Sequence, residues 1–132
     1  MDLTYKSYAT EIKPVEASRS MHFLISTDAV DRDNDILDPK GWKLDNYLQN
    51  PVIQFAHDYK SLPVAKCVSI AQTPKGLEAT AEFPAKGIYP FADTVYDMLK
   101  GGFLNATSVG FTPIDYAQAQ DRKGINFKTQ EL

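Results

Sequence analysis

Three residues that lie far apart in the sequence carry the functional groups of a nucleophile, a base and an acid: Ser108, His57 and Glu131. A serine hydroxyl attacks a carbonyl group efficiently only when a neighbouring imidazole accepts its proton. A carboxylate beside that imidazole fixes its tautomer and stabilises its protonated form. If the fold brings these side chains together, hydrolysis through an acyl intermediate is the expected chemistry.

Ser108 lies in the segment FLNATSVGF, which resembles a strand but has small and hydroxylated residues at its centre. On the two-residue period of a strand, Ser108 shares a face with Leu104, Ala106, Gly110 and Thr112. The alanine and the glycine leave space beside the hydroxyl. The G-x-S-x-G motif of the α/β-hydrolases is absent, because no glycine stands two residues before the serine. A structural serine that bonds a backbone carbonyl remains the alternative.

His57 ends the segment PVIQFAH, which predicts a strand with Ile53, Phe55 and His57 on one face. A general base needs such a place, because it must be held rigidly and be partly desolvated. The alternative is a structural histidine in the core or at its rim. The second histidine, His22, lies off the apolar face of its strand and is predicted to be exposed.

Glu131 is predicted to share the apolar face of the last strand with three other residues, Ile125, Phe127 and Thr129. A carboxylate on an apolar face needs a partner, because burying it unpaired is costly. A protonatable imidazole is a suitable partner, and a solvated glutamate at a frayed strand end is the alternative. Asp58 is adjacent to His57 but is predicted to point to the opposite face, so it ranks below Glu131 as an orienting group.

An acidic loop follows the second predicted strand and contains five aspartates: Asp28, Asp31, Asp33, Asp35 and Asp38. Aligned with the EF-hand pattern, it has Ile36 in place of the glycine and Trp42 in place of the bidentate glutamate. The loop is therefore expected to be solvated, with a calcium-dependent binding domain as a weaker reading. One cysteine and two scattered histidines do not form a zinc site. We expect neither a metal nor a cofactor.

The elements that must position these side chains are mostly strands. Strand-like segments lie at 3–13, 20–27, 51–57, 64–71, 76–83, 103–114 and 124–132. Turns are predicted at Pro14–Arg19 and at 74–76, and a short helical turn at 45–49. One helix begins at Pro90 and stops at Gly101, with an apolar stripe of Phe91, Val95, Met98 and Leu99. About seven strands and one helix predict an α+β domain built on an antiparallel sheet or small barrel.

The bulk properties indicate one soluble domain, 1–132. The formal net charge of -3 gives no general attraction to nucleic acid or to an anionic membrane. No apolar run is long enough to span a membrane, and the mixed, polar N-terminus is unlike a signal peptide. The single cysteine, Cys67, excludes an internal disulfide and fits a reducing, cytosolic compartment.

Taken in order, the motifs resemble the HK97-type prohead (capsid maturation) proteases of tailed bacteriophages. They are S-T-D-A-V-D-R-D-N-D, G-W, N-P-V-I-Q-F-A-H-D, L-P-V-A-K, G-L-E-A-T-A-E-F, L-K-G-G, S-V-G-F and T-Q-E-L. The resemblance as a whole extends from about Tyr5 to Leu132. The resemblance implies a herpesvirus assemblin-like fold, a Greek-key-like β-barrel of about six to seven strands with one or two flanking helices. It also implies a serine endopeptidase with His57 and Ser108 as catalytic residues, and Glu131, 23 residues after the serine, as the third member.

The resemblance further implies the partners and the place of action. The substrates would be the major capsid protein and a scaffolding segment, cleaved inside the phage procapsid in the bacterial cytoplasm, with self-association possible. Family members continue beyond T-Q-E-L with a further hydrophobic strand and a proline-rich stretch, so we expect this chain to be a shortened form. A catalytically inactive capsid-assembly module with the same fold is the alternative function.

Overall fold

The computed structural model describes residues 3–9, 12–15 and 18–132. Within these residues there are ten strands, one α-helix and a 3-10 turn at Tyr47–Gln49. The helix is α1 (Pro90–Lys100). The strands are β1 (Thr4–Ala9), β2 (Ile12–Val15), β3 (Ser20–Thr27), β4 (Ile36–Leu37), β5 (Trp42–Lys43), β6 (Val52–Ile53), β7 (Ala65–Thr73), β8 (Gly76–Glu82), β9 (Ala106–Gln118) and β10 (Ile125–Glu131).

The described strands form two five-stranded sheets. One has the order β1-β9-β10-β4, with β5 also paired to β10, and the other has the order β2-β3-β8-β7-β6. All pairs are antiparallel except those of β10 with β4 and with β5. The described part of the chain is therefore mostly β with one helix, which agrees with the α+β class predicted from the sequence. No helix among the described residues is long and apolar enough to cross a membrane.

The hairpin β7–β8 follows directly from the sequence pattern. Leu77, Ala79, Ala81 and Phe83 alternate with polar residues and are all buried, as predicted. Gly76 closes the turn at φ 145°, where a Cβ atom would lie 1.9 Å from the carbonyl oxygen of Ser26 on the neighbouring β3. Only glycine fits this position, because any side chain would collide with a backbone that the sheet holds in place.

The helix has the predicted limits but a different buried face. It starts at Pro90 and is followed by Gly101 and Gly102, of which the second has φ 80°. Its buried residues are Ala92, Val95 and Tyr96. Of the predicted stripe, Val95 is buried and Leu99 packs against the core, whereas Phe91 and Met98 are half-exposed. The stripe is therefore rotated, because Tyr96 packs edge-on against Phe83 of the core while Phe91 contacts Phe55 at the surface.

Apolar side chains form two core clusters. The cluster under α1 joins it to β3 and β8 through residues that include Met21, Phe23, Phe83, Val95 and Tyr96. The other cluster lies against β9 and β10 and includes Leu37, Trp42, Leu77, Phe111 and Phe127. Because Val109 and Phe111 of β9 point into this core, the alternate residues of that strand, Ser108 among them, face outward.

Several predicted strand limits are wrong. Pro14 and Val15 belong to β2 rather than to a turn, and β9 runs from Ala106 to Gln118 rather than over 103–114. The strand predicted over 51–57 ends at Ile53. The segment 3–13 contains parts of two strands, and its residues 10 and 11 lie outside the described part, as do residues 16 and 17 of the predicted first turn.

Register shifts in β10 change which residues face the core. The pairing with β9 is irregular between Phe127 and Thr129 and again between Thr129 and Gln130. As a result Gln130 is fully buried, and its Nε2 donates a hydrogen bond to the carbonyl oxygen of Asp38. The apolar face predicted to extend from Phe127 to Glu131 is therefore interrupted, since each shift offsets the two-residue alternation.

Candidate active site

A tight backbone turn after β6 presents His57. Ala56 and His57 have φ values of 52° and 54°, so two consecutive non-glycine residues adopt the left-handed conformation. Such residues are uncommon, and each costs on the order of 1–3 kcal/mol that the surrounding structure must offset. The backbone N–H of Asp58 donates to the carbonyl oxygen of Phe55, which closes the turn. His57 is therefore placed by a strained turn and not by the strand predicted from the sequence.

The structure brings His57 and Ser108 together, although 51 residues separate them in the sequence. His57 Nε2 lies 2.7 Å from Ser108 Oγ, a hydrogen-bond distance. Ser108 is exposed on β9, where it is paired with Ser7 of β1. When Nε2 accepts the hydrogen bond from the hydroxyl, the neutral imidazole carries its proton on Nδ1. This is the arrangement in which a serine can be activated by a general base.

Partial burial of His57 favours its neutral form. Desolvation lowers the pKa of the imidazole below its ordinary value. Among the described residues, no carboxylate lies within ion-pair distance of the ring to oppose this effect. The imidazole is therefore neutral at pH 7 and able to accept a proton.

Two tyrosines that the sequence analysis missed surround the imidazole. The Tyr5 ring centroid lies 4.3 Å from that of His57 at an interplanar angle of 53°, and the Tyr59 centroid lies at 6.4 Å. A Cβ atom on Gly110 would be 3.0 Å from Cε1 of Tyr5, so the space left by this glycine is occupied by the tyrosine ring. No local sequence pattern indicated them, because Tyr5 meets Gly110 only through the pairing of β1 with β9.

Glu131 lies on β10 opposite Thr112 and is partly buried. Cross-strand neighbours share a face, so Glu131 and Ser108 are on the same side of the sheet. Thr112 lies four positions along β9 from Ser108, about 13 Å along the strand. The side chain has no hydrogen bond to His57 in the described structure. Its role as the third member of a triad stays a prediction.

The other two candidates have local partners. Asp58 accepts hydrogen bonds from the backbone N–H of Lys60 at 3.0 Å and from Ser61 Oγ at 2.7 Å, which together lower its pKa and shape the loop after His57. His22, predicted to be exposed, is partly exposed. Its two ring nitrogens lie 3.2 Å from Thr80 Oγ1 and 3.0 Å from Glu78 Oε1, on the neighbouring strand β8.

The acidic loop holds a lysine. Lys6 Nζ of β1 lies 2.6 Å from Asp35, 2.8 Å from Asp33 and 3.2 Å from Asp31, so the three aspartates that could bind a cation instead surround an ammonium group. Burial alone would lower the pKa of Lys6, but the hydrogen bonds to these carboxylates outweigh it and raise that pKa above its ordinary value. The expected solvated loop is thus partly wrong, because Asp31 and Asp35 are buried against this lysine.

A wide cleft of about 780 Å³ opens beside the His57–Ser108 pair. Its lining is largely apolar and includes Phe55, Leu104 and Leu132 together with the buried Val64 and Phe83. A cleft with a polar pair at its wall and apolar side chains elsewhere is the usual form of a binding site for an extended, partly apolar ligand.

Comparison with known proteins adds independent information. The chain is similar to the prohead protease of Escherichia phage T5. The two are 30% identical over 119 residues, which is 87% of this chain and 53% of the relative, so the chain spans about half the length of the protease that it matches. No family model matches the chain. No solved structure matches it either.

Proposed function

We propose that this chain is a serine endopeptidase that processes capsid and scaffold protein during bacteriophage prohead maturation. The observation that carries the proposal is the 2.7 Å contact between His57 Nε2 and Ser108 Oγ at the wall of a wide cleft. The similarity to a protein named prohead protease supports the class of reaction and the biological setting. His57 and Ser108 are the general base and the nucleophile of this proposal.

In the proposed reaction, Ser108 Oγ attacks the carbonyl carbon of the scissile peptide bond while its proton passes to His57 Nε2. The carbonyl electrons move onto oxygen, and backbone N–H groups stabilise the resulting oxyanion. Collapse of this intermediate breaks the C–N bond, and the imidazolium gives its proton to the leaving amine. A water molecule deprotonated by His57 then hydrolyses the acyl ester and releases the serine.

Glu131 is proposed as the group that stabilises the imidazolium. Its position on the face of the sheet that carries Ser108 supports this role. Within the described residues His57 Nδ1 makes no hydrogen bond, so its N–H is free to donate to a carboxylate. Glu131→Gln is expected to reduce kcat while leaving KM nearly unchanged, since the residue would act on the charged intermediate and not on substrate binding.

We also infer a single domain, 1–132, with a Greek-key-like barrel related to the herpesvirus assemblins. Two sheets of mostly antiparallel strands with one helix are compatible with this architecture. The proposed substrates are the major capsid protein and a scaffolding segment, and the proposed place of action is the procapsid in the host cytoplasm. Copies of the protease are proposed to associate there, and neither nucleic acid nor membrane is proposed as a partner.

Co-expression with the cognate major capsid protein tests the function. The expected result is capsid cleavage by the unmodified protein, none with Ser108→Ala, and normal cleavage with Ser69→Ala, a matched control at an exposed position of β7. If Ser108→Ala leaves processing unchanged, the nucleophile is wrongly assigned. If the unmodified protein cleaves nothing but is required for proheads to assemble, the non-catalytic assembly module is the correct reading.

A further inference from the structure

The orientation of the His57 imidazole requires an explanation. Within the described residues its one hydrogen bond is to Ser108, and a single hydrogen bond leaves a ring free to turn about its side-chain torsions. Two tyrosine rings lie beside the imidazole in tilted arrangements, Tyr5 at 4.3 Å and Tyr59 at 6.4 Å between centroids. Aromatic pairs at such separations pack favourably in tilted arrangements.

Tyr5 is half-exposed, and its ring packs over β9. It is paired with Gly110 on β9, and its ring covers that glycine so closely that a Cβ atom there would be 3.0 Å from Cε1 and 3.2 Å from Cδ1. The next residue, Lys6, points to the opposite face and is fixed by three aspartates. The position of Tyr5 is therefore set by the register of β1 with β9, and its ring fits against the surface at Gly110.

Tyr59 completes the arrangement from the loop that follows His57. Burial raises the pKa of its hydroxyl, and a hydrogen bond with Tyr5 raises it further. The Tyr59 hydroxyl also lies 3.7 Å from the Cβ position of Gly110. The two tyrosines thus contact each other and the imidazole, above the one residue of the strand that has no side chain.

We infer that Tyr5, supported by Tyr59, is a positioning residue that keeps His57 Nε2 directed at Ser108 Oγ. The inference rests on the proposed function and names a part of that site to which no role has been given. Tyr5 acts through the imidazole and not on the substrate. Gly110 belongs to the same device, because any larger residue there would displace the tyrosine ring.

Two substitutions test this by independent routes. Tyr5→Ala removes the ring, and Gly110→Ala pushes it away through the 3.0 Å contact while leaving Tyr5 in the sequence. Tyr5→Ala is expected to lower kcat about 100-fold with little change in KM, the loss typical of a catalytic group misplaced by about 1 Å. Gly110→Ala requires the ring to shift by only a few tenths of an ångström, so its loss in kcat is expected in the same direction and smaller. Tyr5→Phe keeps the ring and loses only the hydroxyl, so most of the activity is expected to remain.

The readout that separates positioning from general stability is the titration of His57, followed by NMR of its ring protons. In Tyr5→Ala and Gly110→Ala the imidazole becomes more hydrated, so its pKa is expected to rise toward the ordinary value near 6.5. Tyr116→Ala is the matched control, since this half-exposed tyrosine lies eight residues along β9 from Ser108. It should change neither the titration nor kcat.

The outcomes distinguish the two proposals. If Ser108→Ala retains activity, the proposed function fails, whatever Tyr5 does. If Ser108→Ala is inactive but folded Tyr5→Ala and Gly110→Ala have the kcat and the His57 titration of the unmodified protein, the positioning role is refuted. Should Tyr5→Ala fail to fold, the other two variants decide the question. Gly110→Ala should shift the titration of His57, and Tyr5→Phe, which keeps the ring, should leave it unchanged.

Discussion

Replacing Lys6 by methionine tests the ionic cluster that fixes β1 beside the candidate active site. The side chain of Lys6 is 5% exposed, and those of Asp31 and Asp35 are 7% and 10% exposed. Methionine has a similar length and no charge, so the substitution removes the ammonium without leaving a large cavity. The carboxylate oxygens of Asp31, Asp33 and Asp35 lie within 4.8 Å of one another and would then repel each other.

The size of the effect follows from which charges remain buried. Asp33 is 71% exposed, so its ion pair with Lys6 contributes little. Asp31 and Asp35 lose their buried counter-charge, and breaking a buried pair in this way typically costs about 3–5 kcal/mol. For a domain of this size the free energy of unfolding is about 5–15 kcal/mol, so the loss is a large fraction of it. The melting temperature should fall by about 10–15 °C.

Urea unfolding followed by circular dichroism measures this loss. Lys66→Met is the matched control, because Lys66 is 64% exposed and pairs with Glu82 at 3.3 Å on the surface. It should change the free energy of unfolding by less than about 1 kcal/mol. If Lys6→Met and Lys66→Met have equal effects, the buried cluster does not stabilise the fold as the structure indicates.

Three further predictions concern the loop, the base and the hairpin. Calcium at millimolar concentration should leave the melting temperature unchanged, because the ammonium of Lys6 already occupies the space between the three aspartates of the acidic loop. A rise in melting temperature that Asp33→Ala abolishes would contradict this. The acid limb of the pH profile of kcat/KM should have its midpoint below pH 6.5, because burial lowers the pKa of His57 and only the neutral imidazole is a base. A midpoint above that value would refute the assignment of His57 as the general base. Gly76→Ala should destabilise the fold by at least about 2 kcal/mol more than Gly87→Ala, as measured by chemical unfolding. Both glycines have positive φ, but only at Gly76 would a Cβ atom collide with a neighbouring backbone. Equal losses would show that the collision is relieved.

The elements that depend on local patterns were predictable from the sequence. The alternation of β8, the turn at Gly76 and the limits of α1 all follow from residue type and spacing, and the structure has them. The pairing of His57 with Ser108 was reached through the order of motifs along the chain. The structure places the two side chains 2.7 Å apart, although the strand that was expected to hold His57 ends at Ile53.

Features that depend on tertiary context were not predictable. The left-handed turn at Ala56 and His57 contains no glycine, so its residue types did not predict a left-handed conformation. The shifts in β10 exchange the faces of Gln130 and Glu131, because an irregular pairing reverses the two-residue period. The burial of Lys6 depends on a loop 25 or more residues away, and no local pattern of charges indicates such a contact.

Covalent labelling tests most directly the claim that His57 activates Ser108. Diisopropyl fluorophosphate forms a bond between phosphorus and an activated serine oxygen and releases fluoride, and mass spectrometry locates the adduct. The account predicts labelling of Ser108 in the unmodified protein and none in folded His57→Ala, while Ser69→Ala is labelled normally. Equal labelling of Ser108 with and without His57, or capsid cleavage by a protein whose Ser108 never reacts, would contradict it.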